Sequence, residues 1–286
     1  MSKRRKVTIV HLLARKRERQ KIPVLTCYDY STARVLEEAG IDVLLVGDTY
    51  AEVCLGYDST VSVTVDEMLV VTRAVRRGAP GAFLIGDMPF LSYQVSDEEA
   101  VRNAGRFLAE AGCDCVKVEV DRRLAGTVEA MARASVPVMA HLGLRPQSIH
   151  QLGAYRCQGK TAEQAARIIE DARIMEEAGA SALLLEAVTN EVAQTITEKT
   201  ALPVIGCVSG PHCDGQVLVF HDVMGYASEH RPSAVKTYAN LHETIKEAAS
   251  RYADEIVQEK YPTPSQGVCL PETELKKLQT LLGEDA

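Results

Sequence analysis

Six side chains with acid–base or ligating chemistry stand at or just past the ends of short apolar runs: Asp48, Asp87, Lys117, Glu119, His141 and Glu186. Taken singly, a polar residue after a strand is ordinary as a helix N-cap. Gathered at one mouth, three carboxylates repel one another unless a cation or a shared proton neutralises them. The oxygen-only set Asp48, Asp87 and Glu119 suits a hard divalent ion such as Mg²⁺, which keeps several waters and takes one or two carboxylates plus substrate oxygens. Zinc would want more nitrogen or sulfur than His141 supplies. Glu186 closes the apolar run Ala182-Leu183-Leu184-Leu185, so partial burial would raise its pKa toward that of a general base; its alternative is a salt bridge across the fold. Lys117 could neutralise developing negative charge, or simply pair with Glu119 on the same strand face. A metal with open positions, a raised carboxylate and an ammonium together describe enolate chemistry, in which a 2-oxo acid loses an adjacent proton while the cation holds the oxyanion. The spacing names no substrate.

The elements that must position these groups repeat one unit: a short β-branched run, a polar or small residue, then an amphipathic helix. Runs at 22–26, 42–46, 82–85, 115–118, 136–140, 182–185 and 203–207 each precede a helical pattern, the last one near 217–224, and 234–237 is a weaker eighth strand. Three helices end in Glu38-Ala39-Gly40, Glu110-Ala111-Gly112 and Glu177-Ala178-Gly179, where glycine fits a left-handed C-cap. Strands this apolar, separated by helices, imply a parallel sheet, and eight of them a (β/α)₈ TIM barrel with its active site at the strand C-termini. The expected organisation is a single barrel domain over 1–286, with an N-terminal helix at about 7–21 and a C-terminal helix and short acidic tail at about 241–286. The N-terminal helix should bury Val10, Leu12 and Leu13.

The chain has 286 residues, 46% of them apolar and 25% charged, which excludes a disordered or membrane-spanning protein. Thirty-two basic against 39 acidic residues leave a net charge of −7, an argument against wholesale binding of nucleic acid or membrane. A basic N-terminal patch, Lys3 to Lys21, reads as the solvated side of its helix. Eight cysteines show no metal-binding or C-x-x-C spacing, and with no secretory pattern at the start they are expected to be reduced thiols in a cytoplasmic protein.

Several phrases resemble the ketopantoate (3-methyl-2-oxobutanoate) hydroxymethyltransferase family. They are Leu25-Thr26-Cys27-Tyr28-Asp29, Val43-Leu44-Leu45-Val46-Gly47-Asp48, Leu55-Gly56-Tyr57-Asp58-Ser59-Thr60, Thr72-Arg73-Ala74-Val75-Arg76-Arg77-Gly78-Ala79, His141-Leu142-Gly143-Leu144 with Pro146-Gln147-Ser148, and Asp214-Gly215-Gln216-Val217-Leu218-Val219 with His221-Asp222. The resemblance runs over roughly residues 7 to 262. It implies a barrel of the phosphoenolpyruvate/pyruvate superfamily that moves a hydroxymethyl group from 5,10-methylenetetrahydrofolate to 3-methyl-2-oxobutanoate, giving 2-dehydropantoate for pantothenate and coenzyme A biosynthesis. It further implies dependence on Mg²⁺, or Mn²⁺ or Co²⁺, and a homodecamer. By the same resemblance Asp48 and Asp87 are direct metal ligands, Glu119 a more remote acidic partner, and Glu186 the base that takes the C3 proton. Lys117 and His141 polarise the substrate, and Thr49 stands where a serine usually holds its carboxylate.

Departures from the family pattern cluster. Thr49-Tyr50-Ala51-Glu52 replaces serine, an apolar residue and a small one, bringing in an unexpected carboxylate at Glu52. Gly206-Cys207-Val208-Ser209-Gly210-Pro211 places Val208 where a glycine is usual, and Phe90-Leu91-Ser92-Tyr93 does the same with Leu91. A valine strains at positive φ, so the backbone path could differ there. The alternative these departures leave open is a diverged paralogue doing aldol-type or lyase chemistry on another 2-oxo acid. A lyase of the isocitrate lyase kind lacks support, because no Lys-Lys-Cys-Gly-His loop is present.

Overall fold

The computed structural model describes residues 5–226 and 234–284. Eight parallel strands hydrogen-bond in chain order and close on themselves. They are β1 (Ile22–Thr26), β2 (Val43–Val46), β3 (Phe83–Asp87), β4 (Cys115–Glu119), β5 (Val138–Gly143), β6 (Ala182–Glu186), β7 (Val204–Cys207) and β8 (Gly215–Leu218). The chain divides into two compact units, Met1–Tyr238 and Ala239–Ala286, and the barrel belongs to the first.

Seven strands match the expected runs; the eighth does not. Residues 234–237 are turn and irregular backbone, and β8 lies instead at Gly215–Leu218, running into the start of the stretch expected to be helical. The helix there shrinks to four residues, Phe220–Val223. Closure explains the choice. Gly215 pairs with both Ile22 and Ile205, and a Cβ at Gly215 would stand 2.3 Å from the Ile22 carbonyl oxygen, so only glycine lets the last strand approach the first. The predicted C-caps hold: Gly40, Gly112 and Gly179 have φ of +94°, +71° and +92°.

Strand periodicity sorts the side chains into two cores. Ile22, Val24, Val43, Leu45, Phe83, Ile85, Cys115, Met139, Leu184, Ile205 and Val217 fill the barrel interior, while Leu44, Leu84, Val116, Val138, Leu183 and Val204 belong to the shell between sheet and helices. Continuing the inward series by two residues reaches Asp87 after Ile85, Lys117 and Glu119 after Cys115, His141 after Met139, Glu186 after Leu184 and Cys207 after Ile205. The packing that fills the barrel therefore also aims these groups at its C-terminal mouth.

The N-terminal helix α1 (Ile9–Arg17) is shorter than the expected 7–21. Leu12 packs into the interior cluster with Val7 and Ile9 beside it, whereas Val10, expected to be buried, is 64% exposed. The basic residues around it hold specific acids near the starts of strands. Lys6 meets Asp114 at 2.6 Å, Lys16 meets Asp214 at 2.7 Å and Arg15 pairs with Asp42. The outer helices alternate with the strands: α2 (Tyr30–Glu38), α3 (Tyr50–Val53), α4 (Val65–Gly78), α5 (Asp97–Ala109), α6 (Ala125–Arg133), α7 (Ile149–Leu152), α8 (Ala162–Glu177), α9 (Asn190–Lys199) and α10 (Phe220–Val223). The second unit holds α11 (Leu241–Val257) and, where only a tail was expected, α12 (Glu272–Leu281). No helix among the described residues is long and apolar enough to cross a membrane.

Candidate active site

All seven sequence-selected residues line one cavity of about 170 Å³ at the C-terminal mouth: Asp48, Thr49, Asp87, Lys117, Glu119, His141 and Glu186. Register places them side by side, since Asp87 pairs with Lys117, Glu119 with His141, and Glu186 with both Gly143 and Cys207. Asp48 follows β2 directly, in the turn into α3, and its backbone N–H donates to Asp87 Oδ2 at 3.0 Å.

Lys117 Nζ stands 2.8 Å from Asp87 Oδ1 and 3.3 Å from His141 Nδ1, so of the two partners open to it, Asp87 and not Glu119 forms the ion pair. Burial by itself would lower the Lys117 pKa, but Asp87, Asp48 and Glu119 outweigh it and hold the ammonium charged. His141 is driven well below the ordinary imidazole range by burial and by Lys117, and is neutral. Its approaches to Glu119 Oε1 at 3.8 Å and Glu186 Oε2 at 3.5 Å are thus polar contacts of an uncharged ring.

Burial pushes the carboxyls of Asp87 and Glu119 well above their usual range; Asp48 pushes both further, and Lys117 opposes the rise. Glu119 Oε1 is a buried oxygen that receives no hydrogen bond, and buried Asp87 Oδ1 faces the Lys117 ammonium. These are the atoms a cation would satisfy, and an all-oxygen donor set fits a hard divalent ion. Among the described residues no group of three or more His, Cys, Asp and Glu side chains is arranged as a ready-made cage. Such an arrangement suits an ion that takes most of its ligands from water and substrate.

Glu186 retains 23% side-chain exposure toward the cavity, and its pKa is pushed up to about 7 by burial, with Lys117 opposing and Asp48 and Glu52 adding to the rise. No lysine or arginine among the described residues pairs with it, so the salt-bridge alternative does not hold. Thr49 Oγ1 lies 2.6 Å from the Tyr28 hydroxyl, which fixes the threonine at the cavity edge.

Sequence reasoning missed the residue that ties the carboxylates together. Gln147 donates from Nε2 to Asp48 Oδ2 at 2.9 Å and to the Met88 carbonyl at 3.0 Å, and from its backbone N–H to Glu119 Oε2 at 2.9 Å. Tyr93 donates to Gln147 Oε1 at 2.7 Å and receives the Glu119 backbone N–H at 2.9 Å. The one signal for Gln147 was its place in the phrase that begins with His141. Asp222 and Cys207, also missed as site residues, line the same cavity.

The departures from the family pattern leave the backbone in glycine-like conformations. Val208 has φ +52° and Leu91 φ +63°, so these side chains accept the left-handed region and its strain. Glu52 is half-buried on α3, and burial, followed by Asp48 and Asp222, raises its pKa to about 7.

Among solved structures, the fold is similar to phosphoenolpyruvate phosphomutase from Streptomyces platensis subsp. rosaceus (TM-score 0.60, 15% identity, 97% of this chain and 96% of that one). It is also similar to a phosphonopyruvate hydrolase solved with oxalate and Mg²⁺ (TM-score 0.58, 13% identity, 97% and 96%). At these identities the likeness concerns the barrel alone. Sequence relatives are much nearer. The 3-methyl-2-oxobutanoate hydroxymethyltransferase of Syntrophobacter fumaroxidans is 50% identical over 276 residues, covering 96% of this chain and 98% of the relative. That of Syntrophomonas wolfei subsp. wolfei is 45% identical over 273 residues, covering 96% and 99%. With the family model matching residues 6–264, the chain belongs to the ketopantoate hydroxymethyltransferase family.

Proposed function

We propose that this chain transfers a hydroxymethyl group from 5,10-methylenetetrahydrofolate to 3-methyl-2-oxobutanoate. One water is consumed, and 2-dehydropantoate and tetrahydrofolate are released. The observation that carries the reading is Glu186: a carboxylate titrating near neutrality, free of a cationic partner, across one small cavity from a fixed ammonium and three acidic side chains.

Asp48 and Asp87, with Glu119 more remote, would hold a divalent cation, which when bound polarises the oxo and carboxylate oxygens of the 2-oxo acid. Thr49, braced by Tyr28, donates its hydroxyl to the substrate carboxylate. Glu186 in its ionised form takes the C3 proton, and the charge left on the substrate oxygen is offset by Lys117, whose ammonium is locked in place by Asp87. Neutral His141 stands between Glu119 and Glu186, accepts from Lys117 at Nδ1, and can donate its Nε2–H toward the substrate or toward Glu186. The C3 carbanion equivalent then attacks the one-carbon unit. The glycine-like φ at Val208 and Leu91 favours this reading over the diverged paralogue, because the substitutions leave the loop path one that glycine would take. Homodecameric assembly is proposed on family membership and is checked by sedimentation of the full chain.

Proton NMR of 3-methyl-2-oxobutanoate in D₂O with enzyme and Mg²⁺, with and without methylenetetrahydrofolate, tests the reading. Loss of the C3 proton signal together with new 2-dehydropantoate is the expected result. Exchange without product would replace the folate by another donor, and no exchange at all would refute the enolate step.

A further inference from the structure

A second cavity, of about 710 Å³, lies outside the barrel wall beside the ends of β4 and β5. Four arginines face it, Arg122, Arg123, Arg145 and Arg167, against two carboxylates. Asp121 is shared by Arg123 (2.6 Å) and Arg145 (2.7 Å), and Asp171 is taken by Arg122 (2.6 Å). Arg167 has no acidic partner among the described residues. The wall thus carries two positive charges in excess of its acids, in a chain whose net charge is −7. A surplus of guanidinium groups around a hollow of this size is built for carboxylates or phosphates, which guanidinium binds through paired N–H groups.

The cavity is also not isolated from the chemistry. A narrower cleft of about 260 Å³ is lined by Glu119 and Gln147, by Asp121, Arg123 and Arg145, and by Phe90. Glu119 is shared with the reaction cavity, and the Asp121, Arg123 and Arg145 cluster with the arginine cavity. Through these shared walls the cleft, with its aromatic side chain, neighbours the reactive cavity on one side and the cationic one on the other.

We infer that the arginine cavity receives the glutamate tail of the folate donor, with the tail reaching it through the Phe90 cleft. A reduced folate is elongated, with its one-carbon unit at one end, an aromatic ring in the middle and two or more carboxylates at the other, which is the order of the three spaces. The inference rests on the folate reading above. It makes affinity depend on tail length: each added glutamate supplies another carboxylate to a wall with positive charge to spare.

The test is equilibrium binding, by calorimetry, of three stable probes to the full chain: 5-formyltetrahydropteroate, which lacks glutamate, 5-formyltetrahydrofolate, and its triglutamate. The expected result is a roughly tenfold or greater preference for the triglutamate over the tail-less probe. That preference should shrink as salt rises, because the arginines are partly exposed. Arg123→Gln combined with Arg167→Gln should reduce it to a factor of about three or less. Both residues are open to solvent, and Asp121 keeps Arg145, so the double variant retains a folded wall. Equal affinity of wild type for all three probes, or an unchanged preference in the double variant, overturns the inference and leaves the folate reading standing. Failure of wild type to bind any probe or to turn over methylenetetrahydrofolate overturns both.

Discussion

Replacing Glu186 by glutamine should separate what this side chain does for the reaction from what it does to stability. Its carboxyl has a pKa of about 7 in the folded protein against 4.5 unperturbed, chiefly through burial. Between those two values the folded state keeps a proton that the unfolded state has lost, so stability falls as pH rises from about 4.5 to about 7 and levels off above. At 1.36 kcal/mol per pKa unit the full penalty is about 3 kcal/mol, and partial exposure of the side chain brings it to roughly 1–3 kcal/mol. The neutral amide carries no such penalty. Urea unfolding of both proteins in EDTA should show the variant more stable by that amount at pH 8 and nearly equal to wild type at pH 4. Taking the difference between the two proteins removes the slopes contributed by Asp87, Glu119 and Glu52. In the same preparations the variant should lose exchange of the substrate C3 proton, which in wild type rises along a limb centred near pH 7. A stability difference that does not change with pH would mean that Glu186 is not perturbed. C3 exchange that persists in the variant would mean that it is not the base.

Asp87→Ala leaves the Lys117 ammonium buried without its ion-pair partner; destabilisation of about 3–5 kcal/mol is expected in chemical denaturation, with loss of the Mg²⁺-dependent rise in melting temperature. Gln147→Ala frees Asp48 and Tyr93 while keeping the backbone N–H that Glu119 accepts, and by analogy with residues that orient metal ligands should slow C3 exchange by roughly 10–100-fold, measured by NMR with far-ultraviolet circular dichroism to confirm folding. Val208→Gly removes left-handed strain worth roughly 1–2 kcal/mol and adds about 0.5–1 kcal/mol of unfolded-chain entropy. A net gain of up to about 1.5 kcal/mol should appear as a higher urea midpoint; a loss would show that Val208 makes contacts that outweigh the strain.

Seven of the eight strands, and the gathering of the seven chosen residues at one mouth, were legible because a barrel strand is short, apolar on both faces and closed by a polar residue. Asp87, Lys117, Glu119, His141 and Glu186 extend the same inward series as their hydrophobic neighbours. Gly215-Gln216-Val217-Leu218 escaped because it carries little apolar signal of its own: closure between β7 and β1 makes it a strand. Val10 escaped for a related reason, since a helical period says which residues share a face but not which face meets the barrel floor. Gln147 is a neutral side chain in a loop, without periodicity or charge to mark it, and only its bonds to Asp48 and Glu119 show what it does.

By itself the sequence determined the barrel, the identity of the groups at its mouth and the family, because alternation, caps and long shared phrases are local properties of the chain. Tertiary structure alone decided which of those groups meet: that Lys117 pairs with Asp87 rather than Glu119, that His141 is neutral, that Glu186 forms no ion pair with a lysine or arginine among the described residues, and that one cleft is lined both by Glu119 of the reaction cavity and by Arg123 and Arg145 of the arginine cavity. These depend on distances and on the exclusion of water among residues far apart in the chain. Electrostatic energies in a buried site are set by that geometry, and no local pattern encodes it.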